Sequence, residues 1–322
     1  MNKVLCVGTL IIDIINAKVA KLPQEGECVT TEVTLNLGGN AYNASVNLSR
    51  LASEGTSVYC YGLVGEDDLG DLFESELERE GVTGLLSRVP GKKTSCNVIL
   101  QEKGKERRYL FDEGANASAS KEHLLDTIKQ IQPDVLVLGE LPSLGLIGAD
   151  LIEIVDYAKK AYGSLVFLDL LVGPGQTYDW LSNNWSLIDI VHCNDWEGRY
   201  VTQQTTLPEI CRWFVKNGVS LPVISDGANG CYYGHRDQVH HQPAFETEEL
   251  DATGAGDAMT AGILTRLLEL PYERKLTVND IPPQTMADII TFASACGAIA
   301  VSALGCVGGI SRDVVENLIA ES

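Results

Sequence analysis

Basic residues are scarce. Twenty-four lysines and arginines face 44 aspartates and glutamates, giving a formal net charge of −20 over 322 residues. A surface this acidic repels phosphodiester backbones and anionic bilayers, so neither nucleic acid nor membrane is an expected partner. Paired cysteine motifs are also missing. The nine cysteines are scattered, with no C-x-x-C pair and no zinc spacing. The opening MNKVLCVG lacks the layout of a secretory leader. We read the cysteines as reduced thiols, mostly small core residues, of a cytoplasmic protein. No apolar run reaches the ~18 residues that a bilayer span requires. There is no long low-complexity tract, no internal repeat and no linker that would divide the chain.

What is present is a core. With 45% hydrophobic and 21% charged residues, the chain suits one large globular domain, residues 1–322, with a small accessory element. Strand-like runs at Val4–Val7, Val58–Leu63, Val135–Leu138, Leu165–Leu168, Ile188–His192 and Val223–Ser225 alternate with helical stretches. The helical stretches are Asn43–Leu51, Leu69–Glu80, His123–Ile131, Leu151–Ala161, Ala255–Leu270 and about Gln284 to Ser302. Repeated βα units predict an α/β fold, a doubly wound and mostly parallel sheet covered by helices. Two segments break the rhythm. One, residues 14–37, holds the β-branched run Cys28–Leu35. The other, residues 94–113, holds strand-like Cys96–Leu100 and Arg107–Phe111 around Glu102-Lys103-Gly104-Lys105, a hairpin signal. Together they predict a small separate sheet.

The sharpest chemical signal is Asp251-Ala252-Thr253-Gly254-Ala255-Gly256-Asp257 at the start of a helix. Small residues permit a tight turn. The first N–H groups of a helix lack intrahelical partners and, with the helix dipole, form an anion site. Such a site suits charge developing on a transferring phosphoryl group. Asp257, in the first turn, is placed to take the proton of an attacking hydroxyl; a plain helix cap is the competing reading. The segment is neither a Walker P-loop nor G-x-G-x-x-G, since Met259 occupies the third glycine position. Gly256 is expected where phosphate must approach closely or φ must be positive.

The segment resembles the C-terminal signature of the ribokinase-like (PfkB) family, D-T-x-G-A-G-D, with Ala252 in place of the usual threonine. The resemblance runs in order along nearly the whole chain. Gly38-Gly39-Asn40-Ala41-Tyr42-Asn43 resembles the N-terminal signature, and Gly8 to Asp13 the end of the first strand. Gly114-Ala115-Asn116-Ala117, Asn194-Asp195-Trp196-Glu197 (the N-x-x-E motif) and Ser225-Asp226-Gly227-Ala228-Asn229-Gly230 match further family stretches. The two strand-rich segments match a β-sheet lid over the sugar.

The resemblance implies an ATP- and Mg²⁺-dependent carbohydrate kinase. Asp257 is the implied base, and the N–H groups of Gly254, Ala255 and Gly256 the anion hole. Asp13, Gly39, Asn40, Asn43, Glu140 and Arg108 are implied to meet the sugar, and Asn194, Ser225, Gly227, Gly230, Thr253 and Gly254 the nucleotide. Glu197 is implied to act indirectly on magnesium. Asp251, Thr253, Ala300, Ala303 and Gly305 are implied to hold a monovalent cation such as K⁺. The metal offsets the repulsion between ATP and so acidic a protein. Ribokinase itself usually has asparagine two residues before the first aspartate and lysine after the glycine pair. Here Ile11 and Asn40 stand there, which disfavours ribose. Arg107 and Arg108 in the lid point toward an acidic or phosphorylated sugar, beside a neutral hexose; Tyr109 and Phe111 keep a nucleoside open. A non-catalytic binder on a kinase fold is the alternative of another class, though it would not need Asp257. Lids of this family often pair between subunits, which implies a homodimer.

Overall fold

Val4 and Cys6 point into one apolar core, Leu5 and Val7 into another. Such alternation requires a sheet covered on both faces. The computed structural model describes residues 2–102, 105, 108–146, 148–172, 178–271, 277–303 and 305–322. Among them the main sheet has nine strands. β1 (Asn2–Val7) lies between β4 (Thr56–Gly65) and β8 (Val135–Gly139), where β2, β3, β6 and β7 belong to the smaller sheet described below. Outside β4 runs β5 (Thr83–Val89). Beyond β8 follow β9 (Leu165–Asp169), β10 (Ile190–Asn194) and β11 (Leu221–Ser225), all parallel. An antiparallel hairpin, β12 (Cys231–His235) and β13 (Gln238–Gln242), closes that edge.

Helices α1 (Asn40–Leu51), α2 (Asp68–Arg79), α7 (Ala255–Leu268), α8 (Pro283–Val301) and α9 (Arg312–Glu321) contribute to the first core. Helices α3 (Lys121–Ile131), α4 (Ala149–Tyr162) and α6 (Leu207–Lys216) contribute to the second, with α5 (Asp195–Thr202) just before α6. This is the doubly wound sheet that the sequence predicts. Strand order reverses beside β1, and at such a switch point open α/β sheets bind ligands beyond their carboxyl ends.

α8 departs from one expectation. Its 19 residues have a mean hydropathy of 1.4 over an 18-residue window, long and apolar enough by length and composition to cross a bilayer. Yet 67% of that window is buried within the fold, where an all-round apolar helix serves as a core element.

The smaller sheet has the order β3-β2-β6-β7. β2 (Ile11–Val19) pairs antiparallel with β3 (Glu32–Gly38) and parallel with β6 (Cys96–Glu102), which pairs antiparallel with β7 (Arg108–Asp112). The predicted strand Cys28–Leu35 begins only at Glu32. Lys103, Gly104 and Arg107 of the predicted hairpin lie outside the described residues.

Candidate active site

The glycine turn is built from its own polar groups. The N–H groups of Leu250 and Asp251 donate to the Val301 carbonyl at 2.8 and 3.1 Å, tying the loop to the end of α8. Asp251 Oδ1 accepts from the Thr253 N–H (3.0 Å) and hydroxyl (2.7 Å). Gly254 then adopts φ +82°, and a Cβ there would collide with the Cys306 carbonyl. Only glycine satisfies both demands. α7 starts at the next residue, with Asp257 in its first turn. The positive φ belongs to Gly254 rather than Gly256. Gly256 is constrained by a ring instead: a Cβ on it would lie 2.9 Å from His192 Cε1.

Two amides hold Asp257. Asn40 Nδ2 donates to its Oδ1 at 2.7 Å and Asn43 Nδ2 to its Oδ2 at 2.8 Å. Both asparagines sit in the first turn of α1, which starts directly after Gly39. Gly39 has φ +89°, and a Cβ there would strike the Thr9 carbonyl. Burial raises the Asp257 pKa, and the nearby Asp169 carboxylate raises it further; the two amides pull the other way.

Three members of this cluster escape the sequence reading. Asp169 ends β9, buried, and accepts from Thr260 Oγ1 (3.0 Å), His192 Nδ1 (2.9 Å) and Asn40 Nδ2 (3.1 Å). Burial pulls the His192 pKa down, but the charge and hydrogen bond of Asp169 together with the Glu197 charge outweigh it, and the net direction is upward. The signal was available. Asp169 follows an apolar strand as Glu140 does, and a carboxylate at the carboxyl end of a parallel strand is a site candidate by the same rule.

A second group of polar side chains assembles around Asp13 and Glu140. Asp13 is buried and accepts from Asn97 Nδ2 at 3.1 Å, with the Cys306 thiol at 4.0 Å. Glu140, at φ +47°, accepts from the Thr9 hydroxyl and, at 3.4 Å, from the Asn40 N–H. Burial pushes its pKa up to about 7, and the Asp169 and Asp13 charges add to the rise. Thr9 is positioned by Asn116, whose side chain bonds both the N–H (3.3 Å) and the carbonyl (3.0 Å) of Leu10. Asn43 Oδ1 and Asn97 Oδ1 are buried without partners, an arrangement that ligand hydroxyls would satisfy.

Two substrate expectations need correction. Strand register pairs Asp13 with Asn36 and Asn97, and Asn97 with Phe111; paired residues share a face. Arg108 pairs with Leu100, one step out of phase. It therefore lies on the face away from Asp13, 3.8 Å from Glu102. Asn40, too, already has its amide engaged: its nitrogen serves the Asp257 and Asp169 carboxylates and its Oδ1 is buried.

At the other end, Asn194 and Glu197 form a capping box for α5. Asn194 Oδ1 accepts from the Glu197 N–H (2.8 Å), and Glu197 Oε2 accepts from the Asn194 N–H (2.9 Å). The N-x-x-E spacing thus has a local structural use. Burial pushes the Glu197 pKa up to about 7. Ser225 stands opposite Asn194 on the adjoining strand end. Gly227 has open space around its Cα, whereas a Cβ on Gly230 would collide with the Gln242 carbonyl. Ala300 accepts from the Ala303 N–H at 3.3 Å, close to the loop of Asp251 and Thr253, and Gly305 has φ +86° near Asn36.

Fold and site together define a ribokinase-like α/β enzyme. The ribokinase from Giardia lamblia superposes with a TM-score of 0.84 at 19% identity, covering 98% of this chain and 99% of that one. The fructokinase with bound ATP from Xylella fastidiosa gives 0.80 at 22% identity, covering 99% and 98%. By sequence the chain is 24% identical to fructokinase-2 of Oryza sativa subsp. japonica over 344 residues, covering 100% of this chain and 95% of the relative. Residues 1–312 match the family described as pfkB family carbohydrate kinase, and the chain belongs to it. It is accordingly a phosphotransferase with a sugar hydroxyl as acceptor.

Proposed function

We propose that the chain transfers the γ-phosphoryl group of ATP to a hydroxyl of a neutral hexose-type sugar, with fructose the first candidate. The observation that carries the chemistry is Asp257 at the start of α7, held by two amides beside the glycine turn. A hydroxyl lying against Asp257 gives up its proton to the carboxylate as its oxygen attacks the γ-phosphorus. The N–H groups of Gly254, Ala255 and Gly256 would answer the charge that develops on the phosphoryl oxygens, the Ala255 N–H on leaving its long 3.4 Å bond to the Ala252 carbonyl. Among the described residues no cluster of three or more metal-ligating side chains forms a cage. That suits Mg²⁺ carried on ATP phosphates, since Mg²⁺ keeps several waters and needs few protein ligands. Glu197, with one oxygen already engaged, would act on it through water. When bound, Mg²⁺ neutralises phosphate charge. The loop of Asp251 and Thr253 beside the end of α8 is our candidate for a monovalent cation, tested by comparing turnover in K⁺ and in choline.

The inner face of the smaller sheet supports a neutral sugar. Among the described residues Asp13, Asn36 and Asn97 line it, and Arg108 lies on the other side. Several relatives are fructokinases, including the rice protein at 24% identity. Tyr109 and Phe111 share the inner face and are 58% and 48% exposed, which supports a nucleoside as the second reading. The outer face leaves Val33, Leu35 and Leu110 at 62%, 46% and 64% exposure, and we propose that a second copy covers it. A panel of hexoses, pentoses, sugar acids and nucleosides, assayed for ADP release, tests the substrate. Preference for an acid sugar or nucleoside would refute the hexose reading. Asp257→Asn is expected to lower turnover by roughly 10²–10⁴ with ATP binding retained. Near-normal turnover would show that Asp257 is not the base.

A further inference from the structure

We propose that Asp169 is a positioning residue for the base, acting through the side-chain amide of Asn40. The inference rests on the reading of Asp257 as the base. An amide nitrogen carries two hydrogens. Asn40 gives one to Asp257 at 2.7 Å and the other to Asp169 at 3.1 Å. Its Oδ1 is buried and wedged against Gly139, where an added Cβ would collide with it. The amide therefore has one orientation, and Asp169 fixes it. Asp169 is itself anchored from two further elements, by Thr260 of α7 at 3.0 Å and His192 of β10 at 2.9 Å. It reaches Asp257 through Asn40, and through Thr260 it also holds the helix that carries Asp257.

Asp169 also places a like charge near the base. The groups facing Asp257 are the Asp169 and Glu140 carboxylates, the Asn40 and Asn43 amides, and the Cys6 and Cys306 thiols; His192 stands behind Asp169. A neighbouring negative charge raises proton affinity, which makes Asp257 a stronger acceptor for the sugar's proton.

Alignment and charge separate in two variants. Asp169→Asn keeps the shape and an acceptor oxygen but removes the charge. Its acidic limb in kcat/KM should move down by roughly 1 pH unit, with kcat lowered several-fold and the KM for ATP unchanged. Gly139→Ala keeps every charge and displaces the Asn40 amide. It should lower kcat about tenfold or more, with the limb moving up rather than down because the Asn40 hydrogen bond that favours the Asp257 carboxylate is lost. Melting curves for both confirm folding; should Asp169→Asn fail to fold, Gly139→Ala carries the test. An unmoved limb in folded Asp169→Asn, or wild-type kcat in Gly139→Ala, overturns the proposal. Asp257→Asn serves as the reference. If it stays active, the base assignment falls; if it is dead while either overturning result is found, only the role of Asp169 falls.

Discussion

Replacing Glu140 by glutamine should make the unliganded protein more stable, and only above mildly acidic pH. Glu140 is held among other carboxylates, and burial lifts its pKa from 4.5 to about 7. Between those values the unfolded chain has lost this proton and the folded protein still binds it. Stability therefore falls as pH rises through that window and levels off above about 7. At about 1.36 kcal/mol per pH unit, the full rise corresponds to ~3 kcal/mol withheld from the folded state at pH 8. Glutamine keeps a carbonyl oxygen for the Thr9 hydroxyl and the Asn40 N–H, and cannot ionise. Urea unfolding at pH 5, 6, 7 and 8 is the assay. The variant should match the wild type near pH 4.5 and exceed it by up to that ~3 kcal/mol at pH 8. Glu197 rises to the same range, so the wild-type slope carries both groups, and the difference between the proteins carries Glu140 together with the push its charge gives Asp257. Parallel stability–pH curves would refute the reasoning, because they would mean that Glu140 is equally easy to ionise in both states.

Gly256→Val should yield a folded but inactive enzyme, since its side chain would press on the His192 ring beneath the anion hole; a circular dichroism spectrum with an activity assay decides it, and an active variant would remove this turn from phosphate binding. Asp13→Ala should weaken the sugar and leave ATP nearly untouched, measured by separate calorimetric titrations; equal loss of both would make Asp13 structural. Light scattering at micromolar concentration should give twice the 34.8 kDa chain mass, and Val33→Lys with Leu35→Lys should reduce it to one, because unpaired charge in an apolar contact is costly. A monomeric wild type, or a dimer indifferent to the lysines, would defeat the lid interface.

The central parallel strands were legible because both faces are buried, which writes them as short apolar runs such as Val135–Leu138; the edge strand β5, half exposed, was not. Nor was the hairpin β12–β13. Its two-residue turn is Arg236-Asp237, with φ +48° and +62°, where the usual written signal is Asn-Gly. α6 is written in the sequence by a capping box, Thr206 and Glu209, and by the apolar stripe Leu207, Ile210, Cys211 and Phe214, yet it is missing from the predicted helical stretches. In the site, Asp257 stood out because a glycine turn surrounds it in sequence. Asp169 carries a local signal, its place at the end of an apolar strand, but its meeting with Asn40, His192 and Thr260 is made by residues far apart in the chain, and no local pattern records it. Arg108 failed for a simpler reason. A strand alternates, and which face is inward is set by pairing partners that the sequence does not name.

The junction at Gly38-Gly39-Asn40 has a mechanical consequence. Gly38 is the last residue of a lid strand and Asn40 the first of the helix that grips the base. One residue, pinned against Thr9, separates them, and a single peptide step spans under about 4 Å. Any movement of the smaller sheet relative to α1 therefore has to be taken up by rotation at Gly38 and Gly39, directly beside the amides that hold Asp257.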